Sequence, residues 1–418
     1  MTDSAMLAHA TYLLESDDYF QRDGEMLLVG GRDVETLADV AGQTPLFAYD
    51  RRVAERRVAT LRAALPKIIE LHYAIKANPM PAMIELFRPL VEGFDVASQR
   101  ELIAALNTGM PVSEISFAGP SKRDEELIAA AASGICTNAE SESEIDRLEA
   151  IGRRLGVEPR VAVRVNPAFE LKGAGMKMGG SPRQFGIDAE RVPELLKTLR
   201  DRHLTFAGLH IFGGSQNLDP EAIADCQEKT FELAASLLTD VDLTAEFVNI
   251  GGGFGIPYFP GDAPLDVAAV GARLAPLAER FRSRFPDTKL VMELGRFLVG
   301  ECGVYVTRVV DVKVSRGVRF AMTDGGLHHH LANSGNFGQV IRKNYPVVVA
   351  NRLGHPVCED KQMVVGPLCT PLDIVADKLP LPAIEVGDLI AVFQSGAYGY
   401  TASPRDFLSH PDAVQMVV

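Results

Sequence analysis

The sequence predicts an α/β protein: a (β/α)8 barrel followed by a mostly β carboxyl-terminal domain. Three observations carry that expectation. Eight short apolar runs recur between residues 71 and 294, segments of helical period lie between them, and beyond about residue 300 valine-rich runs appear without long helices. The runs are LHYAI (71 to 75), FDVA (94 to 97), ISFA (115 to 118), ICTNA (135 to 139), RVAVRV (160 to 165), FAGLHIF (206 to 212), EFVNI (246 to 250) and LVMEL (290 to 294). Between them, QRELIAALNTG and EELIAAAASG each close on a glycine suited to a helix C-cap. ESEIDRLEAIGRRLG carries its acids early and Arg153 and Arg154 late, the order a helix dipole favours. Strand and helix alternation implies a parallel sheet. Eight such units over about 250 residues fit a closed barrel better than a doubly wound open sheet, the alternative, which usually has fewer strands.

The later runs, VYVTRVVDVKV, YPVVVANRL, QMVVG and DLIAVFQ, read as strands of a second domain. Residues 25 to 50 are also short and strand-like, so the amino terminus is expected to pair with that sheet. The expected division is an amino-terminal segment at 1–44 joining the β domain, the barrel at 45–300, and the β domain at 301–418. No repeat, low-complexity stretch or linker interrupts it.

Bulk chemistry narrows the function. A chain of 418 residues, 47% hydrophobic and 23% charged, can bury a large core. Forty-two basic against 55 acidic residues give a formal charge of -13, with no basic block interleaved with aromatics, so nucleic acid is not an expected partner. No basic segment followed by a long apolar run opens the chain and no stretch reaches membrane-spanning length, which points to a cytoplasmic protein without a membrane partner. Five cysteines, Cys136, Cys226, Cys302, Cys358 and Cys369, are scattered without CxxC spacing, arguing against a disulfide framework and a zinc site. His328, His329 and His330 are adjacent, and on an extended segment they would point to alternate faces, so a loop or interface role is expected of them rather than metal binding.

HYAIKANP (72 to 79) delivers Lys76 to the end of a strand-like run, and side chains at the carboxyl ends of barrel strands point into the mouth where chemistry occurs. By itself that lysine reads as a solvated charge. GGGFG (251 to 255) follows EFVNI directly, and consecutive glycines let backbone approach a phosphate closely; it lacks the spacing of a dinucleotide fingerprint and the lysine of a nucleotide loop. ELGR (293 to 296) ends the last barrel run with an acid and a base. GPLCTPLD (366 to 373) puts Cys369 and Asp373 in a bounded loop, and GAYGY (396 to 400) puts Tyr398 in another. Singly these are turns and surface ion pairs. Together, a strand-end lysine, a glycine cradle, a strand-end glutamate and a loop cysteine are the parts that pyridoxal phosphate chemistry needs.

From about residue 45 to the carboxyl terminus these motifs resemble the fold-type III pyridoxal-phosphate decarboxylases, the family of diaminopimelate, ornithine and arginine decarboxylases. The resemblance implies a barrel plus β domain acting as a homodimer, with each site completed by the partner chain. It makes Lys76 the Schiff-base lysine, places Asp95 of FDVAS near the cofactor and Arg164 of RVNP beside its ring, and gives the phosphate to Gly251, Gly252 and Gly253. It pairs Glu293 with the pyridine nitrogen, so that the protonated ring accepts the electrons released as CO2 leaves and a quinonoid is then reprotonated. Gly295 and Arg296 lie by the phosphate, with Arg296 also reaching substrate, and Ser215 belongs to the same pocket. Cys369, a candidate acid for reprotonation, and Asp373 match the loop that enters the neighbouring site, and Tyr398 matches the tyrosine that closes over cofactor and substrate.

Three departures bear on the substrate. In GLHIFGGSQ the family's stacking histidine aligns with Phe212, with His210 two residues earlier; a phenyl face can still pack on the pyridine. Thr370 stands where an acid usually binds the distal ammonium of a diamino acid, and an uncharged residue there cannot neutralise a desolvated cation. Leu294 replaces the proline of EPGR. With GAGMKMGG (173 to 180), these features resemble the branch associated with exosortase and exopolysaccharide systems and relatives acting on amino acids tethered to an acyl carrier protein. A diaminopimelate decarboxylase of lysine biosynthesis and a non-catalytic cofactor-binding regulator are the alternatives. Alanine racemases, similar in fold, place an arginine at the pyridine nitrogen, where this chain has Glu293.

Overall fold

The computed structural model describes residues 12–14, 16, 18–239, 241, 243–337, 339, 342–360 and 362–418. The first eleven residues of the expected amino-terminal segment lie outside them. The chain divides into two compact units, one of Val58–Ile256 with Pro264–Phe297, the other of Met1–Arg57 with Pro257–Ala263 and Leu298–Val418.

The first unit is a closed eight-stranded parallel barrel. Its strands are β1 (Ile69–Ala74), β2 (Gly93–Val96), β3 (Ile115–Phe117), β4 (Cys136–Ala139), β5 (Arg160–Asn166), β6 (Thr205–Ile211), β7 (Phe247–Gly252) and β8 (Lys289–Leu294). Each pairs in parallel with the next, and β8 returns to β1 through Leu290 opposite Ile69 and Leu294 opposite Tyr73. All eight strands expected from the sequence are present, each displaced by two residues or fewer. The helices between them end as their sequences direct: Ser98 and Ser141 cap Gln99–Asn107 and Glu142–Leu155 by accepting from the amides of Glu101 and Glu144, each at 3.2 Å. Gly134 and Gly156 close their helices in the left-handed conformation at φ 76° and 71°.

Strand residues alternate between two buried faces. Tyr73 points outward, stacking on Phe87 of the helix Pro81–Phe87 at 4.4 Å between centroids, so Glu70, His72 and Ala74 point into the barrel. The interior is unusually polar. Ala74, Asp95, Ser116 and Cys136 lie side by side in register across β1 to β4, and Asn138 donates to Ser116 Oγ at 3.0 Å while Ser116 donates to Asp95. Sealed in that interior, the Cys136 thiol is pushed up to about 12 by burial.

In the second unit the long strand Gly303–Ser315 is central, antiparallel to Leu46–Tyr49, Val318–Thr323 and Leu389–Val392. Gln362–Val365, Ile374–Leu379, Val347–Val349 and Val414–Val417 extend the sheet. The strand just after residue 45, where the barrel was expected to begin, lies in this sheet. Leu46–Tyr49 is buried at every position because it lies between Gly303–Val306 and Val414–Val417, and the changeover falls after Arg57.

His328, His329 and His330 form a turn rather than an extended segment, and all three are buried. His329 Nε2 lies 2.9 Å from the Pro411 carbonyl and His330 Nε2 2.9 Å from Ser395 Oγ. Burial holds His328 and His330 at about 3, so both rings are neutral. Among the described residues no helix is long and apolar enough to cross a membrane.

Candidate active site

Lys76 sits in one turn of 3-10 helix, Ile75–Ala77, directly after β1. Tyr73 Oη fastens that turn by donating to the Asn78 carbonyl at 2.9 Å. The lysine side chain is 43% exposed, and its ammonium donates to Glu293 Oε1 at 3.0 Å, joining residues at the ends of adjacent strands β1 and β8. Glu293 is 4% exposed. Its other oxygen lies 3.2 Å from His210 Nε2 of β6, an ion-pair contact whose angle falls outside hydrogen-bond geometry. Burial acts to raise the Glu293 carboxyl, but the Lys76 charge and the His210 contact override it and hold it well below the usual carboxylate range. The acid is therefore a buried anion with a half-exposed amine beside it.

Gly251 and Gly253 have φ of +69° and +78°, a region where glycine is favoured. A Cβ on Gly251 would lie 2.9 Å from the Ile211 carbonyl and 3.0 Å from the Phe212 ring, and one on Gly253 would lie 2.6 Å from the Gly214 carbonyl. The turn after β7 is thus pressed backbone to backbone against the loop after β6. It is fastened by Gly251 N donating to Asn249 Oδ1 at 2.8 Å and Asn217 N donating to the Gly253 carbonyl at 3.0 Å. Ser215 lies in that facing loop, where Gly214–Ser215 pairs with Met176–Lys177. Gly295 follows β8, and a Cβ there would stand 3.0 Å from Ala77 Cβ, so its absence lets the start of the helix Arg296–Val299 approach the Lys76 turn.

Arg164, near the end of β5, donates to Glu140 Oε1 at 2.8 Å and stands 4.9 Å from the Phe185 ring. Glu140 also accepts from the amides of Gly119 at 2.7 Å and Gly186 at 3.1 Å. No motif in the sequence singled out Glu140, although it directly follows β4, a strand-end position like that of Lys76. His210 and Phe212 are 6.4 Å apart and edge-on; His210 is engaged with Glu293 and buried, whereas Phe212 is only half-buried.

Two of the expected acids have partners of their own within the chain. Asp95 faces His72, whose Nδ1 is 3.6 Å from Asp95 Oδ2, and takes the Ser116 hydroxyl, which draws its carboxylate into the polar barrel interior. Asp373, in the β domain, is 2% exposed, and its two oxygens accept from the amides of Leu327 at 2.6 Å and Leu368 at 2.9 Å. It clasps two loops. Cβ atoms on Gly326 and Gly366 would collide with its carboxylate, which explains both glycines. Beside this clasp Cys369 and Leu372 are exposed and Thr370 is half-buried. Tyr398, also in the β domain, holds φ +59°, a strained backbone conformation for a tyrosine and one that concentrates at functional sites.

A buried carboxylate contacting a lysine amine, next to a backbone cradle that any Cβ would fill, defines a pyridoxal-type site on a (β/α)8 barrel. Residues 51–300 match the model of the pyridoxal-dependent decarboxylase pyridoxal-binding domain, and the chain belongs to that family. It is 36% identical over 385 residues to the L-glutamyl-[BtrI acyl-carrier protein] decarboxylase of Niallia circulans, covering 90% of this chain and 89% of that one. It is 32% identical over 413 residues to the diaminopimelate decarboxylase of Aquifex aeolicus, covering 97% and 94%. Its fold matches the diaminopimelate decarboxylase structure of M. jannaschii with a TM-score of 0.86 at 24% identity, over 96% of this chain and 93% of that one. The protein is a pyridoxal 5'-phosphate-dependent amino-acid decarboxylase.

Proposed function

We propose that the protein decarboxylates an amino acid presented on an acyl carrier protein, working in the cytoplasm as a homodimer that shares its active sites. The observation that carries this reading is Thr370, neutral in the loop beside Cys369 where a free diamino acid would require a counter-charge. Tethering turns the far end of a substrate into a neutral thioester, which needs no such charge. The relative from Niallia circulans, which acts on a carrier-bound glutamyl group, supports it.

Pyridoxal phosphate, when bound, supplies an electron sink for the pair left as CO2 departs from the α-carbon. Lys76 would hold the group through its amine, and the backbone of Gly251 to Gly253 with Ser215, Gly295 and Arg296 would hold its phosphate. Glu293, anionic even when buried, would favour a protonated ring nitrogen. His210 positions that carboxylate, while Phe212 would offer an aromatic face to the ring and Arg164, held by Glu140, would help to bind it. Cys369 returns a proton to the α-carbon. Thr370 lines the distal pocket, and Arg296 and Tyr398 close on the substrate.

The test is CO2 release by the cofactor-loaded protein, comparing free diaminopimelate, lysine, ornithine and arginine with aminoacylated carrier protein. Release only from the carrier-bound form is expected. Comparable turnover of free diaminopimelate would overturn tethering and favour a lysine-pathway enzyme, and silence on every substrate would overturn the reading as a whole. In Lys76→Ala both CO2 release and the visible absorbance of the bound cofactor should vanish.

A further inference from the structure

At the amino-terminal ends of the strands, opposite the site above, a cavity of about 370 Å³ opens into the barrel. It is bordered by the first residues of β3, β4, β5, β7 and β8 and by Glu70 and His72 of β1. We propose that this cavity holds a divalent cation, with Glu70, His72 and Glu114 as its ligands and Zn2+ as the ion that suits them.

One donor atom from each of the three residues lies within 4.8 Å of the other two. Zinc bonds of about 2.0 to 2.2 Å would place tetrahedral donors about 3.4 Å apart, so closing on the ion asks for side-chain movements of about 1 Å. Glu70 and Glu114 are only partly buried and have room to move.

His72 is the second, independent observation. It is 6% exposed, and neither ring nitrogen has a hydrogen-bond partner. Asp95 Oδ2 stands 3.6 Å from Nδ1, the placement by which a carboxylate orients a metal-bound imidazole and leaves Nε2 for the ion. Gly93 keeps that side open, because a Cβ there would lie 2.5 Å from Nε2.

A plain ion-pair cluster accounts for less. Lys289 Nζ lies 3.1 Å from Glu114 Oε1 and 3.4 Å from Glu70 Oε2, so the two carboxylates already select a positive charge. Nothing in that pairing uses a buried imidazole. The Lys289 side chain is 47% exposed and can swing into solvent, leaving its place to an ion. Five carboxylates line the cavity, those named together with Glu246 and Asp287, against Arg160 and Lys289, an excess of three negative charges before His72 is counted. Imidazole with carboxylates suits zinc and disfavours magnesium and calcium, which take oxygen donors. This end of a barrel serves stability, so the ion is structural.

The experiment equilibrates the EDTA-treated holoenzyme with Zn2+, counts bound metal per chain by elemental analysis, and follows thermal unfolding with and without zinc. One ion per chain and a zinc-dependent rise in Tm are expected, with turnover unchanged. The pair Glu70→Gln with Glu114→Gln should weaken binding by about 100-fold or more. Lys289→Met, which removes the competing ammonium, should strengthen it by about tenfold or more, that is by at least about 1.4 kcal/mol. A simple ion-pair cluster gives the opposite result for Lys289→Met, lower stability with no gain in zinc affinity, and this comparison stands even if His72→Gln fails to fold. No retained zinc in the parent protein, or equal retention in the double variant, would overturn the proposal.

Discussion

Gly253→Ala tests whether the cradle after β7 is set by backbone contact. Two costs follow from the structure. At φ +78° an alanine suffers the left-handed penalty of about 1 to 2 kcal/mol. Its Cβ would also stand 2.6 Å from the Gly214 carbonyl and 3.0 Å from Leu171 Cδ2, and because the nearer atom is backbone the loop itself must move, adding about 1 to 3 kcal/mol. Gly109→Ala is the control, since φ is +71° there but nothing lies within 4 Å, leaving only the first cost. At about 2 to 4 °C per kcal/mol, Tm should fall by roughly 4 to 20 °C for Gly253→Ala and by roughly 2 to 8 °C for Gly109→Ala. Cofactor affinity separates them further. Displacing the cradle forfeits charge-assisted amide bonds to a phosphate, about 1.5 to 3 kcal/mol, or roughly 10- to 100-fold in Kd, whereas the control should bind normally. Thermal unfolding and cofactor titration measure both. Equal losses of Tm in the two variants, with cofactor affinity unchanged, would refute the reasoning.

Three further outcomes are expected. Cys369→Ala should slow product formation by about 10²-fold or divert it, as loss of a general acid does, and a variant with full rate and clean product would remove the cysteine from the mechanism. Glu144→Ala strands the buried Lys122, which donates to Glu144 at 2.6 Å and to the carbonyls of Gly119 and Asn138; a loss of about 3 to 5 kcal/mol should appear in denaturant unfolding, and a loss below about 1 kcal/mol would contradict it. Glu149, held by Arg153 at 2.8 Å and Arg202 at 2.7 Å, is lowered from 4.5 to about 2, so its contribution is full above pH 4.5 and is lost as pH falls towards 2. The Tm gap between parent and Glu149→Gln should therefore narrow on acidification below pH 4.5, and a constant gap would count against the assignment.

How far the sequence carried the reading depends on whether partners were local. All eight barrel strands were visible because a parallel strand buried on both faces shows as an apolar run bounded by turns. Lys76 and Glu293 were visible as strand-end residues, although their contact spans 217 positions and only the closure of β8 onto β1 creates it. The polar barrel lining was missed. In IELHYA the inward set is Glu70, His72 and Ala74, an alternation hidden inside a segment that reads as apolar through its outward Leu71 and Tyr73. The partners of Asp95 and Asp373 were hidden for the same reason: a motif fixes an acid's position in the chain, while its orientation is decided by Ser116, by His72 and by two loop amides that no local pattern announces. That Leu46–Tyr49 joins the sheet was not legible, because a short buried strand looks alike in a barrel and in a sheet.

The clasp at Asp373 determines how the cysteine loop meets anything that approaches it. Because one carboxylate ties Leu368 to Leu327, the loop takes its shape when the β domain folds, not when a substrate arrives. Cys369 and Leu372 are exposed on a loop whose backbone this carboxylate fastens. Ordering a flexible side chain on association costs about 0.5 to 1.5 kcal/mol each, and a loop already held by its own acid avoids most of that loss. Changing which molecule the loop accepts is therefore a matter of replacing Thr370 or Leu372 while leaving Asp373 alone, since substituting the aspartate would alter the shape on which every exposed neighbour depends.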